Sequence, residues 1–182
     1  MIEVEATPLE GLLRIRPKVF ADARGEFLET FNARTFAERT GVITTFVQDN
    51  QSRSMAGVLR GLHLQAPPFA QAKLVRVVAG AVLDVCVDLR PGSATFGQHY
   101  SLRLNATGQE MLYIPEGMAH GFLALEDNTV FVYKCTAYYE PKAERCVRWN
   151  DPDLGIDWGV RDPLVSEKDQ AGSSFVSRLW MQ

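Results

Sequence analysis

The sequence predicts an all-β fold, a sandwich or jelly roll carrying a few short helices. Short runs rich in Val, Leu, Ile, Phe and Tyr recur along the chain, each broken by Gly, Pro, Asn or Asp turn signals. One run, 82–89, alternates with period two: Leu83, Val85, Val87 and Leu89 share one face, and Asp84, Cys86 and Asp88 the other. Only the segment 33–40 carries strong helix punctuation, so the strand–helix alternation of a parallel sheet is missing.

The elements follow in order. Residues 12–20 form the first expected strand. The turn-forming Asp22-Ala23-Arg24-Gly25 leads into a second at 26–31. Asn32 offers a side-chain N-cap to a helix over 33–40, and Gly41 ends it. Strands are expected at 47–54, 58–65 and 73–79, and Gly80-Ala81 reads as a tight hairpin into 82–89. Further strands are expected at 98–104, 111–114, 119–125 and 129–138, with Asp127-Asn128 as another hairpin signal. A weaker helix signal lies near 166–171. The polar tail after Pro163 is expected to wrap the barrel or end as an appendage. No repeat or linker divides the chain, which predicts one domain over 1–182.

Composition narrows the function classes. With 46% hydrophobic and 23% charged residues the chain can bury a core without staples. A net charge of -3 gives no overall attraction to nucleic acid or to an anionic membrane. The three cysteines, Cys86, Cys135 and Cys146, make no C-x-x-C pair, and the first two sit in apolar runs. Thiols in a reducing compartment are expected, not a disulfide framework. Met1-Ile2-Glu3-Val4-Glu5 has no basic region followed by an apolar stretch, and no run suits a membrane span. A cytoplasmic protein is expected.

Several strands carry polar groups on faces that should be buried. Tyr133 shares a face with Phe131 and Cys135, Lys73 opens an apolar strand, and His63 and Gln65 share a face with Gly61. Each alone reads as a satisfied interior residue. Three together point to a ligand pocket with apolar walls and a few convergent polar groups. Strict alternation turns Arg60 away from His63. Both reach one cavity only if Gly61 permits a bulge.

The run Pro115-Glu116-Gly117-Met118-Ala119-His120 resembles the second motif of the cupin superfamily, whose fold is a double-stranded β-helix or jelly roll. In metal-binding cupins the first motif supplies H-x-H and a following Glu. Here the second His is replaced by Gln65, and the charged strand residue downstream is the cation Lys73, which opposes a divalent metal. No metal is expected.

Longer stretches are more specific. Phe20 to Glu29, Gln48-Asp49-Asn50, Gly57 to His63, Lys73 to Arg76, Asp84 to Arg90, Ile114 to Phe122, Trp149 to Pro152 and Ser166 to Asp169 together resemble the dTDP-4-dehydrorhamnose 3,5-epimerases, in order along nearly the whole chain. The resemblance implies inversion of C3 and C5 of a dTDP-4-keto sugar in dTDP-L-rhamnose biosynthesis, with no cofactor. It also implies a homodimer that exchanges an N-terminal segment. It implies His63 as general base, Asp169 as its orienting carboxylate, Lys73 as stabiliser of the enolate oxygen and Tyr133 as the acid on the opposite face. Arg24, Arg60 and Lys168 match positions near the substrate, where cations suit a diphosphate. Glu29, Gln48, Asp49, Asn50, His120 and Glu144 match other binding positions, and Phe20 and Phe27 are placed to pack on the base.

The chemistry agrees. A hydrogen alpha to a ketone needs a base, a stabilised enolate oxygen and an acid on the other face. Free histidine titrates near about 6.5, which suits a base at neutral pH. Three alternatives stay open: an epimerase that inverts C3 only, a ketoisomerase on a related jelly roll, and a sugar-binding cupin without chemistry. Tyr133 with Asp169 disfavours the ketoisomerase, which needs no proton returned to the opposite face of the same carbon.

Overall fold

The computed structural model describes residues 2–176, so residue 1 and residues 177–182 of the expected 1–182 domain lie outside the described residues. The strands form two main sheets. The first runs in the order β1 (Ile2–Ala6), β2 (Leu13–Pro17), β10 (Met111–Ile114), β7 (Lys73–Ala79), β12 (Thr129–Cys135) and β5 (Gln48–Ser54). The second runs β13 (Glu144–Cys146), β6 (Val58–Gln65), β11 (Met118–Ala124), β8 (Ala81–Asp88) and β9 (His99–Asn105), with β14 (Leu164–Val165) added parallel to β6. A separate hairpin pairs β3 (Val19–Asp22) with β4 (Gly25–Leu28). This all-β arrangement agrees with the jelly roll expected from the sequence.

The apolar residues form three layers. Val75, Val77, Leu112 and Phe131 of the first sheet meet Val82, Cys86, Met118 and Phe122 of the second in a shared inner core. The outer face of the first sheet is covered by α1 (Ala33–Thr40), whose Phe36 packs with Ile15, Leu74, Met111 and Tyr113. The outer face of the second sheet carries Leu59, Leu62, Leu64, Val85, Val87 and Leu89, covered by Leu154, Trp158 and Val165. The segment after Cys146 therefore wraps the barrel. This also explains 82–89: its apolar face packs outward under that segment, and Asp84 and Cys86 turn inward.

The caps agree with the sequence. Asn32 Oδ1 accepts the Thr35 N–H at 3.1 Å, and the Gly41 N–H donates to the Ala37 carbonyl at 2.9 Å. The second helix, α2 (Glu167–Gln170), is capped by Ser166, whose hydroxyl accepts the Asp169 N–H at 3.2 Å.

Two expected hairpins are corrected. β7 and β8 do not pair, because Gly80 carries the chain from the first sheet to the second. Its φ is +74°, and a Cβ there would lie 2.3 Å from Thr129 Oγ1. Asp127-Asn128 likewise joins β11 to β12 across the sheets. The same turn residues serve a hairpin or a corner, and only the burial of both flanking strands decides for the corner. The expected 12–20 strand is divided, since Pro17 has no N–H to continue a ladder and β3 leaves the sheet. The sequence reading missed β1, β13 and β14, which are short edge elements.

Candidate active site

β6 and β11 run antiparallel, with His63 opposite His120 and Arg60 opposite Phe122. Three steps on β6 thus match two on β11, which is a bulge centred on Gly61. Gly61 has φ +129°, and a Cβ there would lie 2.5 Å from the Gly121 Cα. The extra residue restores phase, so that Arg60 and His63 line one cavity while Leu59 and Leu62 face the outer core.

That cavity, of about 330 Å³, is lined by Arg60, His63, Lys73, His120, Tyr133, Glu144, Lys168 and Asp169, with apolar wall from Phe122 and Phe131. A neighbouring recess shares His63, Lys73, Tyr133 and Glu144 and adds Gln48, Asn50 and Tyr139. His63, His120 and Glu144 come from one sheet and Lys73, Tyr133, Gln48 and Asn50 from the other.

His63 Nε2 lies 2.6 Å from Asp169 Oδ1, and Asp169 Oδ2 accepts the Gly61 N–H at 3.2 Å. Burial pushes the Asp169 pKa up, but the hydrogen bond and charge of His63, with the Gly61 and Ser166 contacts, hold it below the ordinary value. Asp169 is thus ionised at neutral pH. It fixes the ring with Nε2 inward and leaves Nδ1 as the nitrogen able to meet a substrate.

Lys73 is 9% exposed, and its Nζ donates to the His63 carbonyl at 3.4 Å. Burial lowers its pKa, opposed by Cys135, Cys86, Asp84 and Glu144. Burial raises the Tyr133 pKa, with Arg60 opposing. Tyr133 therefore keeps its phenolic proton at neutral pH, as an acid must. His120 Nε2 lies 2.8 Å from Asp84 Oδ2, a fully buried carboxylate, so the cavity contains a second histidine–carboxylate pair. Burial pushes the Glu144 pKa up, but Lys168 and Tyr139 outweigh it and keep the group ionised. Glu144 accepts from the Tyr139 hydroxyl at 2.5 Å and from Lys168 Nζ.

Gln65, where a metal-binding cupin has its second His, accepts the Glu140 N–H at 3.0 Å and so anchors the loop behind Tyr139. Arg60 Nε donates to Ser54 Oγ at 3.2 Å. Sequence reading missed Asp84, though it had a signal, a carboxylate on the polar face of a core strand. The sequence did point to the loop 138–141 as a place that shapes the pocket, but the position of Tyr139 in it depends on Gln48 and Gln65 holding the loop.

Other expected residues lie away from the cavity. Asp49 is on the opposite face of β5, paired with Lys134 at 3.0 Å. Arg24 and Phe20 sit in the exposed hairpin with Phe27, which is 69% exposed, and Arg24 pairs with Asp22 at its own turn. Glu29 follows the hairpin and accepts from Asn32 Nδ2 at 3.2 Å.

Residues 6–177 match the dTDP-4-dehydrorhamnose 3,5-epimerase family. A relative of that name from Pseudomonas aeruginosa is 52% identical over 168 residues, covering 92% of this chain and 92% of its own. The crystal structure of the same-named protein from Elizabethkingia anophelis superposes with TM-score 0.93 at 46% identity, covering 97% of this chain and 98% of its own. The Legionella pneumophila dTDP-6-deoxy-D-glucose-3,5-epimerase, solved in complex with dTDP-4-keto-L-rhamnose, superposes with TM-score 0.93 at 43% identity, covering 98% and 95%. With these matches beside the cavity geometry, the chain belongs to the dTDP-4-dehydrorhamnose 3,5-epimerase family.

Proposed function

We propose that the protein inverts C5 and C3 of dTDP-4-dehydro-6-deoxy-D-glucose, giving dTDP-4-dehydro-L-rhamnose for dTDP-L-rhamnose synthesis. One observation carries the reading: a carboxylate-held histidine and a protonated tyrosine stand on facing sheets and line one cavity. Inversion needs that arrangement, since a base that returned its own proton would restore the starting stereochemistry.

The steps follow from the geometry. His63 Nδ1 takes the proton alpha to the C4 ketone, and Asp169 holds the imidazolium that results. Lys73 donates to the enolate oxygen, where a buried donor is worth most. Tyr133 delivers a proton to the other face. Solvent then takes the proton from His63 and returns one to Tyr133, and the same pair acts at the second carbon after the ring turns. The carbons exchange protons with no net redox change, so no redox cofactor is required. Arg60 and Lys168 bind the diphosphate, while Gln48 and Asn50 bind at the recess toward Tyr139.

Arg24, Glu29, Phe20 and Phe27 do not line the catalytic cavity of their own chain, so they act at such a site only if a second copy of the chain brings its cavity to them. An isolated two-stranded ribbon is marginal in water, and β3–β4 exposes every residue except Leu28. This supports a homodimer in which each hairpin completes the partner's site. Three free thiols support a reducing, cytoplasmic setting. Among the described residues no helix is long and apolar enough to cross a membrane.

Incubation with dTDP-4-keto-6-deoxyglucose in heavy water, followed by NMR, tests the reading. Deuterium is expected at both C3 and C5. Incorporation at C3 alone replaces it with a single epimerase, and none removes the assignment. Tyr133→Phe is expected to slow net inversion more than exchange; equal retention of both removes Tyr133 from the mechanism.

A further inference from the structure

Cys146 takes no part in the proton transfers above, yet its sulfur lies against them. β13 pairs with β6 so that Cys146 stands opposite His63. The thiol Sγ is 4.0 Å from Asp169 Oδ1, the same oxygen that holds His63 Nε2 at 2.6 Å. The nitrogen, sulfur and oxygen donors of these three residues lie within 4.8 Å of one another. His63 keeps 28% of its side chain exposed, and His63 and Asp169 line the cavity. Burial and the Asp169 charge push the Cys146 thiol up to about 12, so it is a thiol until a cation displaces its proton. Imidazole, cysteine sulfur and carboxylate together are then a zinc-type donor set, unlike the oxygen-only set that suits magnesium or calcium.

We propose that His63, Cys146 and Asp169 bind a thiophilic divalent cation of the zinc class, and that the bound cation switches the catalytic dyad off. Bonds of about 2.0–2.1 Å to nitrogen and oxygen and about 2.3 Å to sulfur give tetrahedral edges of roughly 3.3–3.6 Å. The present separations of 2.6 Å and 4.0 Å, with the third no longer than 4.8 Å, differ from those edges by at most about 1.2 Å, so side-chain shifts of that size build the site. A water completes the fourth position. The site differs from that of metal-binding cupins, because Cys146 belongs to a different strand and Gln65 is engaged by the Tyr139 loop.

The protons balance simply. The cation takes the place of the proton between His63 Nε2 and Asp169, and that proton moves to Nδ1. Cys146 releases its own proton to solvent. The ring stays neutral, but Nδ1 now carries hydrogen and cannot accept one from the substrate. This inhibitory half rests on His63 as the base, as argued under Proposed function. The binding half does not.

Cobalt(II), a spectroscopic stand-in for zinc, separates the two. Titration of the full-length metal-free protein is expected to reach one equivalent, with a thiolate-to-cobalt charge-transfer band that Cys146→Ser abolishes. Zinc is expected to lower wild-type turnover reversibly, with chelator restoring it. Cys146→Ser should keep its turnover and resist zinc at least about tenfold better, since losing even an outer-shell partner of a metal ligand costs that much. A missing band in wild type, or a band and inhibition that persist in Cys146→Ser, overturns the site. A Cys146-dependent band without inhibition supports the site and overturns His63 as base. If Cys146→Ser does not fold, zinc protection of Cys146 from alkylation in wild type, read by peptide mass, decides instead: slower alkylation supports the site and an unchanged rate overturns it.

Discussion

Asp169 does two things to His63. Its Oδ1 fixes the ring by the Nε2 contact, and its negative charge favours the imidazolium formed when Nδ1 takes a proton. Asp169→Asn keeps the size but removes the charge and lets an amide donor face Nε2, which drives the ring proton to Nδ1. We expect kcat to fall about 10³–10⁴-fold, as when a hydrolase triad holds the wrong tautomer, with KM changing little. Steady-state assays over the neutral pH range check this, and a loss below tenfold removes Asp169 from the orienting role. His63→Ala should abolish exchange at both carbons. The two tests differ in kind, since the first leaves a histidine in place and the second removes the proton acceptor.

At the scale of the element, the β6 bulge and the turn after β8 carry the fold's special demands. Gly61→Ala must place a Cβ 2.5 Å from the Gly121 backbone at a φ that disfavours side chains. We expect a loss of about 2–4 kcal/mol, read as a lower Tm, and loss of activity in the folded fraction, because Arg60 and His63 fall out of phase. After β8, the fully buried Asp88 accepts from Arg90 Nε at 2.9 Å, Arg90 Nη2 at 2.7 Å, and Ser93 and Thr95 hydroxyls at 2.6 Å each. Burial alone would raise its pKa, but these bonds hold it well below the carboxylate range. A depressed carboxylate stabilises the fold fully above its unfolded pKa of about 3.9, and the gain fades as pH falls below that. Asp88→Asn should therefore cost about 3 kcal/mol at pH 7 and clearly less at pH 3. Melting curves at the two pH values check the sign, and an equal loss at both contradicts it.

The whole molecule joins two sheets across a polar site and leaves one ribbon uncovered. Phe20 and Phe27, opposite each other on β3 and β4, are 52% and 69% exposed, a large apolar outlay for a free hairpin. If a second copy covers them, sedimentation should give a dimer, and Phe27→Ser should shift it toward monomer. If the hairpin reaches the partner's site, Arg24→Ala should raise KM about tenfold or more with smaller change in kcat, since it would remove a phosphate-type contact without touching the proton donors. A monomer with full wild-type activity contradicts the exchanged arm.

Much of this was legible in the sequence. The strands, the Asn32 cap and the Gly41 stop follow from periodicity and backbone chemistry, which act locally. His63, Lys73 and Tyr133 stood out because a polar group on a core face is costly without a purpose. The need for a bulge at Gly61 was legible too, since alternation alone separated Arg60 from His63. What distance in sequence hides is different. Gly80 and Asp127-Asn128 looked like hairpins, and only sheet-to-sheet packing makes them corners. Asp84 shared a strand face with Cys86 and Asp88, and only the segment after Cys146, by covering the opposite face, shows that this one turns inward. The contacts of Asp169 and Cys146 with His63, and of Glu144 with Lys168, join residues far apart along the chain, through strand registers that no local pattern specifies. The sequence by itself determined the residue types and most of the elements that carry them, with β13, the strand of Glu144 and Cys146, the exception in the site. Tertiary structure alone decided which of those groups converge, because register and layer order are set by burial of whole faces.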